Sequence, residues 1–318
     1  MKSFRREGIT LGKRIIVTGS YNASIFAMGK VIPKVGETVV SDSYFVSAGG
    51  KGSNQAIAAK FQGADIRYIG KLGGDSYASD AIKMYESIGM YNECIYREEG
   101  ANTGLAVILI DEAGNNSIMV CPGANLMLTV DEIVQPILKE KEVYITGFQL
   151  ENDVGVVCEA IKRLHEAGIR TLLDPAPAVP LPDWVYPNIT ILKPNEHEAG
   201  LLSGVKISSP DDAFKAGEWF LNKGVETAVI TMGENGTIIC GKGVREYIET
   251  PKVDAVDTTG AGDIFSGSLM AALAEGKELI EAVKLANIAA SISVTKKGVY
   301  EATPTKADVE KYIGEHGI

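Results

Sequence analysis

Six short apolar runs recur along this 318-residue chain, each ending near a small or polar residue. They are RIIVTGS (14–20), DIRYIG (65–70), EVYITG (142–147), IRTLLDP (169–175), ITILKPN (189–195) and TAVITMG (227–233). Runs of this length and composition read as strands. Helical patterns lie between most of them. DVGVVCEAIKRLHEAG (153–168) puts Val157, Ile161 and Leu164 on one face and stops at Gly168. SSPDDAFKAGEWFLNKG (208–224) offers Ser209 as N-cap, Pro210 at the first helical position, acids in the first turn and Gly224 after the end. Strand and helix alternating at this spacing predict an α/β fold: a doubly wound, mainly parallel sheet with helices on both faces. A single domain is expected over 14–318, with residues 1–13 as an N-terminal tail.

Two stretches break the alternation. GETVVSDSYFVSAGG (36–50) mixes polar and apolar residues, and TGLAVILIDEAGNNSIMVCPG (103–123) holds two strand-like runs around EAGNN. Both read as hairpin material of a small β-sheet lid, drawn from segments 24–46 and 103–123. The formal charge of −10 repels a phosphate backbone, so nucleic acid is not an expected partner. The leader MKSFRREGITLGKR is basic but lacks an apolar region, and the longest apolar run, LAVILI (105–110), is too short for a bilayer; no membrane role is expected. Cys94, Cys121, Cys158 and Cys240 have no CxxC spacing, which suggests buried thiols in a reducing compartment and a cytoplasmic protein.

Three glycine-rich or acidic junctions carry candidate chemistry. In DTTGAGDIFSGSLMAALAEG (257–276), Phe265, Leu269, Ala272 and Leu273 recur at helical spacing, so Gly260 to Asp263 form a helix entry. Free N–H groups and the positive end of the dipole gather there, which suits an oxyanion or phosphate. The competing reading has Asp263 only capping or neutralising the first turn. SAGGKGSNQAIAAKFQG (47–63) repeats the design with Lys51 and Asn54 as candidates for hydroxyls or phosphate, although it departs from a Walker A loop at Gly52. A tight turn with a solvated lysine is the alternative. LKPNEHEAGLLSG (192–204) sets Asn195, Glu196 and Glu198 just after a strand, where an amide and a carboxylate suit magnesium; ordinary helix-start acids are the alternative. With three histidines in the chain and none at ligand spacing from His197, zinc is not expected. ITMGENG (230–236) reads as a nucleotide loop or as a plain hairpin into GTIICGKG, and the absence of GxGxxG after the first strand argues against a dinucleotide.

Taken in order, GGKGSNQA near 50, KPNEHE near 195 and DTTGAGD near 260 resemble the ribokinase family of sugar and nucleoside kinases. The resemblance runs from about Ile15 to Pro304, with GSYNASI, PKVGETV, FQLEN, DPAPA and SVTKKG as further matching segments. It implies ATP-dependent transfer of the γ-phosphoryl to the primary hydroxyl of a furanose sugar, with D-ribose or a related pentose as acceptor. Asp263 then matches the catalytic base, and Gly260, Ala261 and Gly262 the backbone anion hole. Gly50, Lys51, Gly52 and Asn54 resemble the sugar loop, with Asn22 and Glu151 reaching further hydroxyls. Asn195 and Glu198 resemble the phosphate and magnesium-water motif. Thr231, Gly233 and Gly236 resemble the nucleotide loop, and Asn287 the edge of the adenine pocket. Asp257, with carbonyls of Thr259, Ser293, Lys296 and Gly298, matches an activating potassium site. The lid segments resemble the element that closes over the sugar and commonly forms a homodimer contact.

One position departs from the pattern. Family members usually carry Asp two residues after the Asn of the first strand, and here the sequence is Asn22-Ala23-Ser24. Losing a charge-assisted hydrogen bond of about 1.5–3 kcal/mol weakens ribose binding by one to two orders of magnitude. A deoxyribose or nucleoside kinase is therefore the alternative enzyme, and a catalytically silent sugar-binding sensor the alternative from another class.

Overall fold

The computed structural model describes residues 14–90 and 93–317, and the expected tail at 1–13 lies outside them. The chain begins with strands β1 (Arg14–Thr18), β2 (Asn22–Met28) and β3 (Ser43–Gly49), then helix α1 (Lys51–Phe61), β4 (Ile66–Gly73), α2 (Ser76–Ser87) and β5 (Ile95–Glu98). Next come β6 (Gly104–Ile110), β7 (Asn116–Cys121), α3 (Val130–Lys139), β8 (Val143–Phe148), α4 (Val154–Glu166) and β9 (Thr171–Leu173). They are followed by β10 (Ile191–Leu192), α5 (Glu196–Ser203), α6 (Pro210–Asn222), β11 (Thr227–Thr231), β12 (Thr237–Gly241) and β13 (Val244–Ile248). Helices α7 (Ala261–Ala274), α8 (Leu279–Ser293) and α9 (Lys306–His316) close the chain.

The main sheet runs β13-β12-β11-β10-β9-β8-β1-β4-β5. Every pairing from β11 to β5 is parallel, and β12 and β13 add an antiparallel edge. Side chains of successive strand residues point to opposite faces, and the core divides accordingly. Ile15 and Val17 of β1 join α1, α2, α7 and α8 on one face, while Ile16 joins α3, α4, α5 and α6 on the other. The helix ends read from sequence are realised: the Ser209 hydroxyl accepts from Asp212 N at 3.2 Å, and Asp153 caps α4 by accepting from Val156 N at 2.9 Å.

The second sheet, ordered β3-β2-β6-β7, is the expected lid, with three differences from the sequence reading. Residues 36–42 form no strand, so β3 pairs instead with β2, which begins at Asn22, two residues ahead of the expected lid segment 24–46. The sheet is also mixed, because β2 and β6 pair in parallel across the chain's long excursion through α1, α2 and β5. Cys121, expected among the buried thiols, is exposed on β7, whose residues are solvent-facing throughout.

Connections leave β1 in opposite senses, toward β4 on one side and β8 on the other, which opens a crevice at the carboxyl ends of the strands. The starts of α1 and α7 meet beside that crevice. Their crossing is close because a Cβ at Gly267 would lie 2.3 Å from the Gln55 carbonyl oxygen and 2.7 Å from Ala58 Cβ. Gly267→Ala is expected to push α7 off α1 and lower stability by about 1–3 kcal/mol. Denaturant unfolding reads this, and an unchanged midpoint would overturn the close crossing.

Candidate active site

Strand ends supply most of the polar groups in the crevice. After β1, Ser20 donates its hydroxyl to Glu151, which follows β8 and also accepts from Lys51 N at 3.0 Å. One carboxylate thus ties the β1 loop to the first residue of α1. Gly50 is the N-cap of that helix, and Gly52 lies so near Gly19 that a Cβ on Gly52 would stand 2.5 Å from the Gly19 Cα. Only backbone fits between β1 and α1 there.

Asn54 and Gln55 project from α1 toward the start of α7. Asn54 Nδ2 donates to Asp263 Oδ2 at 2.9 Å, and Gln55 Nε2 lies 3.4 Å from Asp263 Oδ1. Asp263 occupies the third residue of α7 and is 5% exposed. Its carboxylate is taken up by α1, unlike the capping role weighed from sequence. Gly260 holds φ at 75° as the N-cap of α7, where a Cβ would collide with Val299 at 2.5 Å, so glycine is required on both steric and conformational grounds. Its helix start leaves N–H groups of residues 260–262 without intrahelical partners.

Burial is the main reason the Asp263 carboxyl is pushed up to about 6; the charges of Asp174 and Glu151 add to it, and Lys51 and the Asn54 bond oppose it. Lys51 is held charged, its pKa raised above the usual lysine range chiefly by Asp263 and further by Glu151, Asp174 and Glu198 against the cost of burial. A carboxylate that titrates near neutrality beside an ammonium can accept a proton from a bound hydroxyl.

The lid contributes Asn22 and Ser24, both buried. Asn22 Oδ1 accepts from Asn125 Nδ2 at 2.9 Å, and Asn125 also bonds both backbone groups of Tyr21, at 3.0 and 2.9 Å. Ser24 lies opposite Ser47 across β2 and β3, and the Ser47 hydroxyl is 3.4 Å from a Glu301 carboxylate oxygen. Both serines share the face that carries Asn22.

Farther along the strand ends, Asn195 and Glu198 form a capping box on α5: Asn195 Oδ1 accepts from Glu198 N at 2.8 Å and Glu198 Oε2 from Asn195 N at 2.9 Å. The helix-start role weighed for these residues is therefore real. Glu198 is pushed up by burial and by the charge of Asp174, opposed by the Asn195 N–H bond and the charges of Lys193 and Lys51. Asn195 bridges to Thr231, and residues 231–236 turn through Gly233–Asn235 into the β11–β12 hairpin. That connection is a hairpin, as one of the two sequence readings had it. At its far end the Thr237 hydroxyl donates to Asn287 Oδ1 at 2.9 Å, and Asn287 Nδ2 is a buried amide without a partner among the described residues. A ligand acceptor at that place would satisfy it.

Asp257 accepts from Thr259 N at 2.9 Å and Gly298 N at 3.0 Å, and its own N–H bonds Val294 O. The 257–259 and 293–298 segments are thereby brought together, while the Ser293 carbonyl accepts from Lys296 N at 3.1 Å. A carboxylate with several backbone carbonyls is a hard-oxygen donor set suited to a monovalent cation. Among the described residues no group of three or more His, Cys, Asp or Glu is arranged to hold a metal ion.

Sequence reasoning assigned no role to Gln55, Asn125, Asp174, Gln149, Lys193 or Glu301. Asp174 and Lys193 stood inside quoted segments, DPAPA and KPNEHE, but no spacing rule joins them. Asn125 has no sequence signal.

A family model described as pfkB family carbohydrate kinase matches residues 13–306. Ribokinase of Haemophilus influenzae is 35% identical over 309 residues, covering 96% of this chain and 99% of that protein. Deoxyribokinase of Salmonella typhi is 30% identical over 300 residues, covering 94% and 98%. The structure of Arabidopsis thaliana ribokinase complexed with ribose and ATP superposes with a TM-score of 0.85 at 27% identity, covering 95% of this chain and 98% of that one.

Because the Asp263 pKa is raised on folding, from 3.8 to about 6, its stabilising state is the protonated one. That contribution is present below the unfolded value and is lost as pH rises through about 6. Asp263→Asn, which stays neutral, is expected to be more stable than the native protein at pH 7.5 by on the order of 3 kcal/mol, the gap closing toward pH 4. Thermal unfolding across that range checks it; equal melting temperatures at pH 7.5 would refute the electrostatic account.

Proposed function

Since the chain belongs to the pfkB family of ATP-dependent carbohydrate kinases, we propose that it phosphorylates the primary 5-hydroxyl of D-ribose or a closely related pentose. The observation that carries this reading is Asp263, a buried carboxyl pushed up to about 6 at the start of α7, next to Asn54 and the Lys51 charge of the sugar loop. Asp263 takes the proton from the attacking hydroxyl. The N–H groups of Gly260, Ala261 and Gly262 face the transferred group and take up its charge, which is where most of the catalysis of phosphoryl transfer arises. Asn22, Ser24, Gly50, Lys51, Gly52, Asn54 and Glu151 bind the sugar. Thr231, Gly233, Gly236 and Asn287 bind the nucleotide, and the unpartnered Asn287 amide supports that role.

Magnesium would supply charge neutralisation on the phosphates, and Asn195 and Glu198 would hold it. Potassium fits the Asp257 segment with carbonyls of Thr259, Ser293, Lys296 and Gly298, bracing the loop that leads into the anion hole.

Ser24 favours a second reading, phosphorylation of a deoxyribose or a nucleoside, because a site with a neutral hydroxyl discriminates less against a missing hydroxyl. A homodimer through the lid fits the outward row Val46–Ile25–Val107–Met119, aligned across four strands, with Val46 51% and Met119 69% exposed. Among the described residues no helix is long and apolar enough to cross a membrane.

An ADP-release assay with ATP, magnesium and potassium over a panel of pentoses, deoxypentoses and nucleosides tests the acceptor; ribose is expected to give the highest kcat/KM, and a deoxyribose or nucleoside optimum would establish the second reading. In Asp263→Asn turnover is expected to fall about 10²- to 10⁴-fold with sugar binding kept. Near-native turnover would sink the base assignment. Replacing potassium by sodium is expected to slow the native enzyme, and an unchanged rate would remove the cation role of Asp257.

A further inference from the structure

Behind the anion hole lies a buried polar chain that touches none of the groups assigned to substrate except through Asp263 and Gly262. Lys193 follows β10 and Asp174 follows β9; their side chains are each 3% exposed and pair at 3.0 Å. Lys193 Nζ also donates to the Gly262 carbonyl at 3.1 Å, so the ammonium sits directly under the first turn of α7. It is packed there tightly: a Cβ on Gly262 would stand 3.3 Å from Nζ.

Asp174 Oδ2 gathers three donors. Besides Lys193 it receives the Ser266 hydroxyl at 3.0 Å, a side chain one turn along α7, and Gln55 Nε2 at 3.1 Å. The same Gln55 amide nitrogen is 3.4 Å from Asp263 Oδ1, so its two hydrogens bridge the two carboxylates. Gln149 Nε2 donates to Gln55 Oε1 at 2.6 Å, which leaves the Gln55 nitrogen as the end that faces the acids. The line Lys193–Asp174–Gln55–Asp263 is continuous.

A buried ion pair contributes little net stability compared with apolar residues of the same volume, because desolvation offsets the attraction. Stability alone is a poor reason for this one, and its placement points elsewhere. Both ends of the line grip the reacting elements, the carbonyl of Gly262 at one and the base at the other.

We propose that the Lys193–Asp174 pair, with Gln55 as its bridge, is a positioning device that holds Asp263 and the N-terminal turn of α7 in register for phosphoryl transfer. Lys193 is a positioning residue: it fixes the peptide that ends the anion hole and adds positive charge behind it, where the helix dipole already favours an anion. Asp174 keeps that ammonium in place and ties it to the base. The inference rests on the reading of Asp263 as the base.

Charged groups reach Asp263 from several elements: Lys51 at the start of α1, Glu151 after β8 and Asp174 after β9, with Lys193 after β10 beyond them on Asp174 and the Gly262 carbonyl, and Glu198 on α5 facing Asp174, Lys193 and Lys51. Variants at 174 and 193 leave the other three in place. In Lys193→Met, kcat is expected to fall about 10- to 100-fold with both KM values near native, the sign of an interaction lost in the transition state. Its acid limb moves to higher pH, because a cation near the base is gone. In Asp174→Asn the limb moves to lower pH, because an anion is gone. The double variant returns the limb toward its native position while kcat stays low.

Should the charge variants fail to fold, Ser266→Ala removes one hydroxyl and keeps both charges; there kcat is expected to drop about 3- to 10-fold at native KM values. Folded variants with native kcat and an unmoved limb overturn the inference, as does a kcat loss in the charge variants without opposite limb shifts. If Ser266→Ala alone folds, a native kcat overturns it. These results leave the base reading intact so long as Asp263→Asn is inactive. Native turnover in Asp263→Asn overturns both.

Discussion

The close crossing of α1 and α7 is the contact on which the site depends. Both helices begin at the carboxyl edge of the sheet, and Gly267 lets the second approach the backbone of the first near Gln55 and Ala58. A side chain there would separate Asn54 and Gln55 from Asp263, whose carboxylate they hold across the interface. Two helix starts are thereby set face to face around one acid, that of α1 with its Lys51 N–H already bonded to Glu151. One start carries Lys51; the other carries Gly260 to Asp263.

That arrangement costs electrostatic stability. Asp263 is a carboxyl in a nearly dry site with Asp174 and Glu151 close by, and it is held toward neutrality by all three influences. Lys51 and the Asn54 amide restore part of the balance. The result is an acid that titrates where a proton acceptor is useful, at the expense of fold stability above pH 6. The segment near Asp257 is ordered by backbone bonds, because the Thr259 and Gly298 N–H groups occupy its carboxylate.

Much of this was legible in the residues. The alternation of apolar runs with amphipathic segments specifies a doubly wound sheet because each run is too short for anything but a buried strand, and Ser209 and Gly168 mark helix ends by local chemistry alone. GAGD before a helical pattern is likewise local, since the freedom of glycine and the start of a helix are both properties of neighbouring residues. The lid was only half legible. Most of Asn22–Met28 lies in the expected lid segment 24–46, but its parallel partner β6, whose residues lie about eighty positions on, is set by the fold. Residues 36–42 carry strand-like Val39 and Val40 but pair into no sheet, and Cys121 is exposed because β7 is left solvent-facing by the described residues.

The sequence by itself determined the fold class, the helix entries and the residues able to do acid–base and anion chemistry, because these follow from short-range periodicity, capping and backbone freedom. Only the tertiary structure decided which groups act on them. Gln55 and Asp174 are 119 positions apart, and Lys193 and Gly262 are 69 apart. Their meeting is set by the order in which parallel strands lie in the sheet, a non-local choice that no local pattern encodes. The same holds for Asp263: its identity is written in the chain, but its affinity for a proton is set by burial and by charges that arrive from other strand ends.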